Sequence, residues 1–228
     1  MAEIFDDWPE KYDQWFETPI GRLVKAYESR LLHDMVRPGK GERILDVGCG
    51  TGIFTLDLLA AGARVTGLEI SLPMLRQAGK KAGDLPFHMI QGDMRKIPFP
   101  DTSFDKTISV TAIEFIEDGR AAVAELFRVT RPGGLVVVAS LNSLSPWATR
   151  RKAAASGGQS VFRHVRFRSP EEMVTLAPGP ARIKTAIHFQ KQDDPEQAPA
   201  IERDGEARGL LTGAFLVVSW EKPAARRA

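Results

Sequence analysis

An acid at the end of a short apolar run is followed by three glycines spaced two apart, in Arg43-Ile44-Leu45-Asp46-Val47-Gly48-Cys49-Gly50-Thr51-Gly52. Glycine alone takes φ > 0 and leaves no Cβ in the way, so this pattern reads as a buried parallel strand entering a turn where backbone approaches a ligand closely. Residues 53–61 carry an apolar face and predict a helix whose first amides point back at the loop, a setting for an electron-rich group. The chemistry implied is the binding of a nucleotide-type cofactor. Two common versions of such a loop do not fit. A dinucleotide fingerprint needs its third glycine where this chain has Ile53, and a P-loop needs a Gly-Lys-Ser/Thr ending that is absent. The histidines (His33, His88, His164, His188) are scattered without ligand spacing and Cys49 is the single cysteine. No metal centre and no internal disulfide is therefore expected.

Asp46 to Gly52 resembles motif I of the class I S-adenosylmethionine-dependent methyltransferases, and further segments keep register with that family as far as Ser140. They are the acid at Glu69, the Gly92-Asp93 pair, the run Ile97 to Asp105 and the turn Arg128 to Gly134. The resemblance implies S-adenosylmethionine as cofactor and S-adenosylhomocysteine as its product. Asp46, Gly48, Cys49, Gly50 and Gly52 belong to its loop. Glu69 ends the second strand, where one carboxylate can accept from both ribose hydroxyls, and Ile70 sits beside it. By position, Asp93 inherits a hydrogen bond from the adenine amino group and Met94 a place against the ring. Ligands of open α/β sheets lie beyond the carboxyl ends of the strands, so Thr111 to Glu114 should face the transferable methyl. Thr111 is thereby a cofactor contact and Glu114 a candidate general base, with a solvated or helix-capping acid as the competing reading.

These residues need elements to hold them. Strands are expected at Arg64–Glu69, 87–91, 106–110, 135–140, 182–189 and 210–220, besides the one that ends at Asp46. Thr18-Pro19 reads as a cap and first turn for a helix to Val36, with Ile20, Leu23, Val24, Tyr27 and Leu31 on one face. The fold class is α/β, a doubly wound Rossmann-like sheet of seven strands, and the order 3-2-1-4-5-7-6 with the last strand antiparallel follows from the resemblance. A single domain over 1–228 is expected, made of an N-terminal helical lid (1–40), a cofactor core (41–140), an acceptor-side insert (141–181) and a C-terminal strand pair (182–228). Residues 191–208 read as an exposed hairpin loop. The arm's five aromatics, Phe5, Trp8, Tyr12, Trp15 and Phe16, either pack on the core or, Tyr12 and Trp15 first, close over cofactor or acceptor.

The chain has 228 residues, is 43% hydrophobic and carries a net charge of +2, enough for one sizeable core and too little charge to argue for nucleic acid. It lacks any apolar run long enough to span a membrane and any basic-plus-apolar leader, so an integral membrane segment is not expected and the cytoplasm is the expected compartment. Six Arg or Lys residues and no acid fall between Arg150 and Arg168. They read either as a solvated face or as an attraction for an anionic acceptor, membrane surface or RNA. Arg163, Arg166 and Arg168 alternate with Val165 and Phe167, which predicts a basic side and a buried side. The Asn/Asp-Pro-Pro-Tyr/Phe tetrapeptide of many amino-methylating nucleic-acid enzymes and a Pro-Cys nucleophile are both missing. The expected function is methyl transfer to a small-molecule acceptor by in-line displacement, as in the quinone and small-metabolite branch that the middle of the chain resembles. An RNA methyltransferase using the basic run, or a cofactor-binding partner that transfers nothing, would read similarly. Oligomeric state is not legible.

Overall fold

The computed structural model describes residues 3–156 and 161–224. One sheet contains β1 (Arg43–Val47), β2 (Arg64–Glu69), β3 (Phe87–Gln91), β4 (Phe104–Val110), β5 (Thr130–Leu141), β6 (Ala181–Ala186) and β7 (Phe215–Glu221), in the order β3-β2-β1-β4-β5-β7-β6. The first five run parallel and β7 runs antiparallel to both neighbours. Class and order match the expectation. The central strands are buried on both faces, their Val, Ile and Leu packing alongside buried Asp46, Thr107 and Ser109. From β1 the chain winds outward to β2 and β3, then returns to β4 on the other side of β1. That reversal opens a crevice beyond the carboxyl ends of β1 and β4.

The helices are α1 (Glu3–Asp6), α2 (Pro9–Glu17), α3 (Pro19–Val36), α4 (Thr55–Ala60), α5 (Leu72–Ala82), α6 (Gly119–Val129), α7 (Pro146–Ser156), α8 (Pro170–Val174) and α9 (Ala198–Ala207). Side chains cap the starts of several of them. Thr18 Oγ1 accepts from the Gly21 amide at 3.1 Å to start α3, Asp118 caps α6, and Ser169 with Glu172 forms the reciprocal capping box of α8. The core has two layers. Val24, Leu31, Met35, Ile44 and Phe54 lie on one face of the sheet, and Leu45, Val47, Ile113, Leu126 and Trp220 on the other.

Four expectations need correction. The helix after the glycine loop starts at Thr55, because residues 50–54 make turns, and it is only 6 residues long. The strand expected from Leu135 begins at Thr130. Pairing passes from Phe104–Thr130 to Lys106–Leu135, so residues 131–134 bulge out, with Gly133 at φ 69°. The 191–208 segment contains α9 in place of a plain hairpin loop. Its Glu202 is fully buried and accepts from the Ile187 and His188 amides at 2.9 and 2.6 Å, so an acid that reads as solvating is spent on the exit of β6. The alternation at 163–168 is reversed at its end, where Arg168 is the buried side chain and Val165 and Phe167 are half-buried.

Candidate active site

A cavity of about 530 Å³ occupies the crevice, roofed by α2 and α7. Its outer end is the glycine loop. Gly48 has φ 74° and a Cβ there would lie 2.4 Å from the Ala112 Cβ, so β1 can turn only on glycine. The Gly50 amide donates to Glu69 Oε2 at 3.0 Å and the Ser71 amide to Oε1 at 2.9 Å. Glu69 is thus fixed between the loop and the start of α5, yet lone pairs remain on both oxygens. Burial raises its pKa, and the Ser71 and Gly50 amides oppose that rise. Asp46 lies beneath, accepting from Thr55 Oγ1 at 2.6 Å, with burial pushing its carboxyl up to about 7.

Cys49, Ile70, Asp93 and Met94 also line this end. The Cys49 thiol is buried and pushed well up, which leaves it without nucleophilic character. Asp93 accepts from the Arg95 amide at 2.8 Å and from its Nε at 3.0 Å, and this pairing holds its carboxyl below the usual range. Gly52 does not line the cavity. Its backbone, at φ 76°, packs where a Cβ would meet Ala78 Cβ at 3.0 Å, so it seats the loop on α5.

The arm closes this end. Trp8, Lys11, Tyr12, Trp15 and Phe16 follow helical spacing, and one face of α2 therefore lines the cavity. Acids on the arm fasten it. Asp13 accepts from Thr51 Oγ1 at 2.6 Å and from Lys81 Nζ at 2.9 Å, while Asp6 accepts from Ser71 Oγ at 2.7 Å. The aromatics pack on one another and also line the cavity. Tyr12 meets Phe16 edge to face at 5.2 Å and lines the cavity together with Thr111. Thr111 ends β4 at φ 47°, a left-handed conformation that strains a β-branched residue and is typical of functional positions.

Beyond Thr111 lies an inner chamber. Glu114 stands in a short 3₁₀ turn, Ile113–Phe115, and is 1% exposed, so it is neither solvated nor a helix cap. Its Oε2 receives only a long 3.4 Å contact from Ser140 Oγ, and its Oε1 has no partner. Burial pushes this carboxyl up to about 7, against the pull of its own amide, Arg168 and Arg151. The turn is held by Arg168, whose Nη1 and Nη2 donate to the Ile113 and Ile116 carbonyls at 3.0 Å each, and by the Arg166 amide on the Glu114 carbonyl at 2.8 Å.

Two residues complete the chamber: Glu28, which sequence reasoning missed, and Arg151, which it read only as part of the basic run. Glu28 interrupts the apolar stripe of α3, is 8% exposed, and is pushed up to about 8 by burial, with Arg151 and Lys25 opposing. Arg151 comes from α7, whose Trp147, Arg150, Arg151 and Ala154 share one face on the cavity. Its guanidinium lies over the Trp147 and Phe162 rings, 5.2 Å from each centroid. The signal for Glu28 was an acid in an apolar helical stripe, and for Arg151 its place one turn after Trp147.

Residues 45–138 match the family model described as a methyltransferase domain. The chain is 35% identical over 142 residues to the demethylmenaquinone methyltransferase of Renibacterium salmoninarum, covering 62% of this chain and 59% of that protein. Over this central segment the chain is similar to class I S-adenosylmethionine-dependent methyltransferases. It is also 42% identical over 142 residues to the malonyl-[acyl-carrier protein] O-methyltransferase of Erwinia pyrifoliae, covering 62% of this chain and 51% of that protein. The crystal structure of a Thermotoga maritima S-adenosylmethionine-dependent methyltransferase, described as a possible histamine N-methyltransferase, aligns with a TM-score of 0.76 at 22% identity, over 97% of this chain and 100% of that one, and shares its fold. The chain spans three-fifths or less of the length of these two relatives.

The outer end of the cavity fits S-adenosylmethionine, the cofactor of the methyltransferases this chain is similar to. The loop offers Gly48 and Gly50 without Cβ atoms, Glu69 offers fixed oxygens with lone pairs to spare, and Leu68, Ile70 and Met94 offer an apolar wall for a ring. Among the described residues no cluster of acids, histidines or cysteine is arranged to hold a metal, and no helix is long and apolar enough to cross a membrane.

Proposed function

We propose that this chain transfers a methyl group from S-adenosylmethionine to a small-molecule acceptor in the cytoplasm. The observation that carries the reading is one cavity with a Cβ-free loop gripped by Glu69 at one end and a buried, unpartnered Glu114 oxygen at the other. When bound, the cofactor supplies a methyl carbon made electrophilic by a positively charged sulfur. Gly48, Cys49, Gly50 and Ile70 bring backbone and apolar contact to it, Glu69 holds the ribose, and Asp93 and Met94 meet the adenine. Tyr12 and Thr111 close the passage between the two ends and align the acceptor. Glu114 takes the proton that an O–H or N–H nucleophile gives up, and its carboxyl at about 7 suits that task near neutral pH. Alignment and exclusion of water by the arm supply the rest.

The basic run supports a small acceptor over RNA. Arg168 is buried against the Glu114 turn and Arg151 faces the chamber, so two of the six charges are turned inward while Arg150, Lys152, Arg163 and Arg166 are exposed. The test has two parts. Calorimetric titration with S-adenosylhomocysteine should show binding. Incubation of the protein and labelled methyl donor with small-metabolite and RNA fractions should place the label among small molecules. No heat of binding, or label in RNA alone or nowhere, overturns the reading.

A further inference from the structure

The inner chamber holds more chemistry than proton removal needs. Glu28, Glu114 and Arg151 arrive from α3, the turn after β4 and α7, and among the described residues none of the three is ion-paired with another. Arg150 and Lys191 line the cavity too but are solvent-exposed. Leaving a buried carboxylate oxygen without a partner, and a guanidinium with only aromatic faces and no hydrogen-bond acceptor, costs stability unless a ligand supplies what is missing. The walls between them are aromatic, with Trp15, Phe16, Phe54, Trp147 and Phe162 facing the space.

The charges say which ligand. Glu28 is pushed up to about 8 and is uncharged at neutral pH, where its carboxyl donates a hydrogen bond. That leaves Glu114 against Arg151 and the neighbouring Arg168, an excess of positive charge that rejects an alkylammonium acceptor and attracts an anion. A wholly apolar ring would fill the walls but leave Arg151 and Glu114 without partners.

We propose that the acceptor is a small aromatic acid with a hydroxyl on its ring, whose carboxylate meets Arg151, whose hydroxyl meets Glu114, and whose ring lies among Phe16, Phe54 and Trp147. Glu28 donates to the same carboxylate. The acceptor oxygen forms the new bond to the methyl carbon as that carbon's bond to sulfur breaks. The electron pair stays on sulfur, and the hydroxyl proton passes to Glu114. Arg151 and Glu28 are the specificity-determining residues. The inference rests on the methyl-transfer reading and deepens it.

The test is calorimetry on protein loaded with S-adenosylhomocysteine. The probes are the three hydroxybenzoate isomers, compared with benzoate, phenol and tyramine. At least one isomer should bind about tenfold or more tighter than either single-handle compound, since one hydrogen bond to a charged group is lost in each. Tyramine should bind no better than phenol. Arg151→Met should bring the hydroxybenzoate down to the level of phenol with S-adenosylhomocysteine affinity unchanged, and Arg151→Lys, which keeps the charge without the fork, should fall between. The wild-type comparison stands whether or not a variant folds. If S-adenosylhomocysteine binds and no isomer does at millimolar concentration, or tyramine binds tightest, or Arg151→Met binds hydroxybenzoate as the wild type does, the acceptor class is wrong while the cofactor reading survives. If S-adenosylhomocysteine itself does not bind, both fall.

Discussion

The two ends of the cavity are built on opposite plans. At the outer end the polar groups are partnered within the chain: Glu69 by the Gly50 and Ser71 amides, Asp46 by Thr55, and Asp93 by Arg95. At the inner end Glu114 Oε1, Glu28 and Arg151 face open space with no such partner. A site whose groups are held before the ligand arrives binds one shape well, because little ordering remains to be done. A site whose buried groups are short of partners is completed by its ligand and discriminates by what that ligand supplies. The first plan suits a cofactor that never changes. The second suits an acceptor that must be chosen.

The sharpest way to break this contrast is to spoil the preformed end. Gly48→Ala forces a Cβ to within 2.4 Å of Ala112 Cβ at a φ of 74°. Overpacking and backbone strain each cost about 1–3 kcal/mol, so unfolding in urea should show a loss of about 2–6 kcal/mol, and S-adenosylhomocysteine binding should vanish. Retained affinity would mean the loop does not need its glycine turn. Glu69→Ala is milder. Hydrogen bonds to charged groups contribute about 1.5–3 kcal/mol, and calorimetry should show affinity for S-adenosylhomocysteine reduced about tenfold to a hundredfold. An unchanged dissociation constant would take Glu69 out of the site.

Acidity sharpens the contrast at the inner end. Folding raises Glu28 from 4.5 to about 8 and Glu114 from 4.5 to about 7. The folded chain therefore holds these protons more tightly than the unfolded chain does. The resulting stability is fully present below about pH 4.5 and is lost as pH rises through about 7 to 8. Asp46, raised to about 7, acts in the same direction. The melting temperature should fall from pH 5 toward about pH 9, and Glu28→Gln should flatten the upper part of that fall. A variant with the wild-type profile would show that Glu28 does not titrate in this window.

The outer end was legible in the sequence because its requirements are local. Gly48, Gly50 and Glu69 follow from strand, turn and strand end at fixed spacing, and the strand order came with the family resemblance. The inner end was not legible because its residues meet only in three dimensions. Glu28 lies on the same apolar face of α3 as Val24 and Leu31, where nothing in the helix periodicity says that the face meets a cavity rather than the sheet. Arg151 and Arg168 belonged to a run of like charges whose composition suggests solvent, yet one faces the chamber and the other braces the Glu114 turn. Glu202 misled for the same reason, since a polar stretch conceals the single acid that the exit of β6 requires.

The smallest expected effect concerns how the preformed end is kept shut. Asp13 ties α2 to Thr51 of the glycine loop and to Lys81 of α5, and Asp6 ties the arm to Ser71, whose amide holds Glu69. The latch is therefore fastened to the residues beside the grip itself. The Asp13–Lys81 pair is about a quarter exposed on each side, so most of its Coulomb energy is screened and the hydrogen bond from Thr51 carries the larger share. A net contribution of about 0.5–1.5 kcal/mol predicts that Asp13→Ala weakens S-adenosylhomocysteine severalfold, with little change in melting temperature. Because opening of the arm frees the ligand, the loss should appear as faster dissociation in stopped-flow chase rather than as slower association. Asp13→Asn keeps an acceptor for Thr51 and removes only the charge, so it should dissociate nearly as the wild type does. Equal dissociation rates in wild type and Asp13→Ala would separate the arm from cofactor retention and leave it a wall of the inner chamber alone.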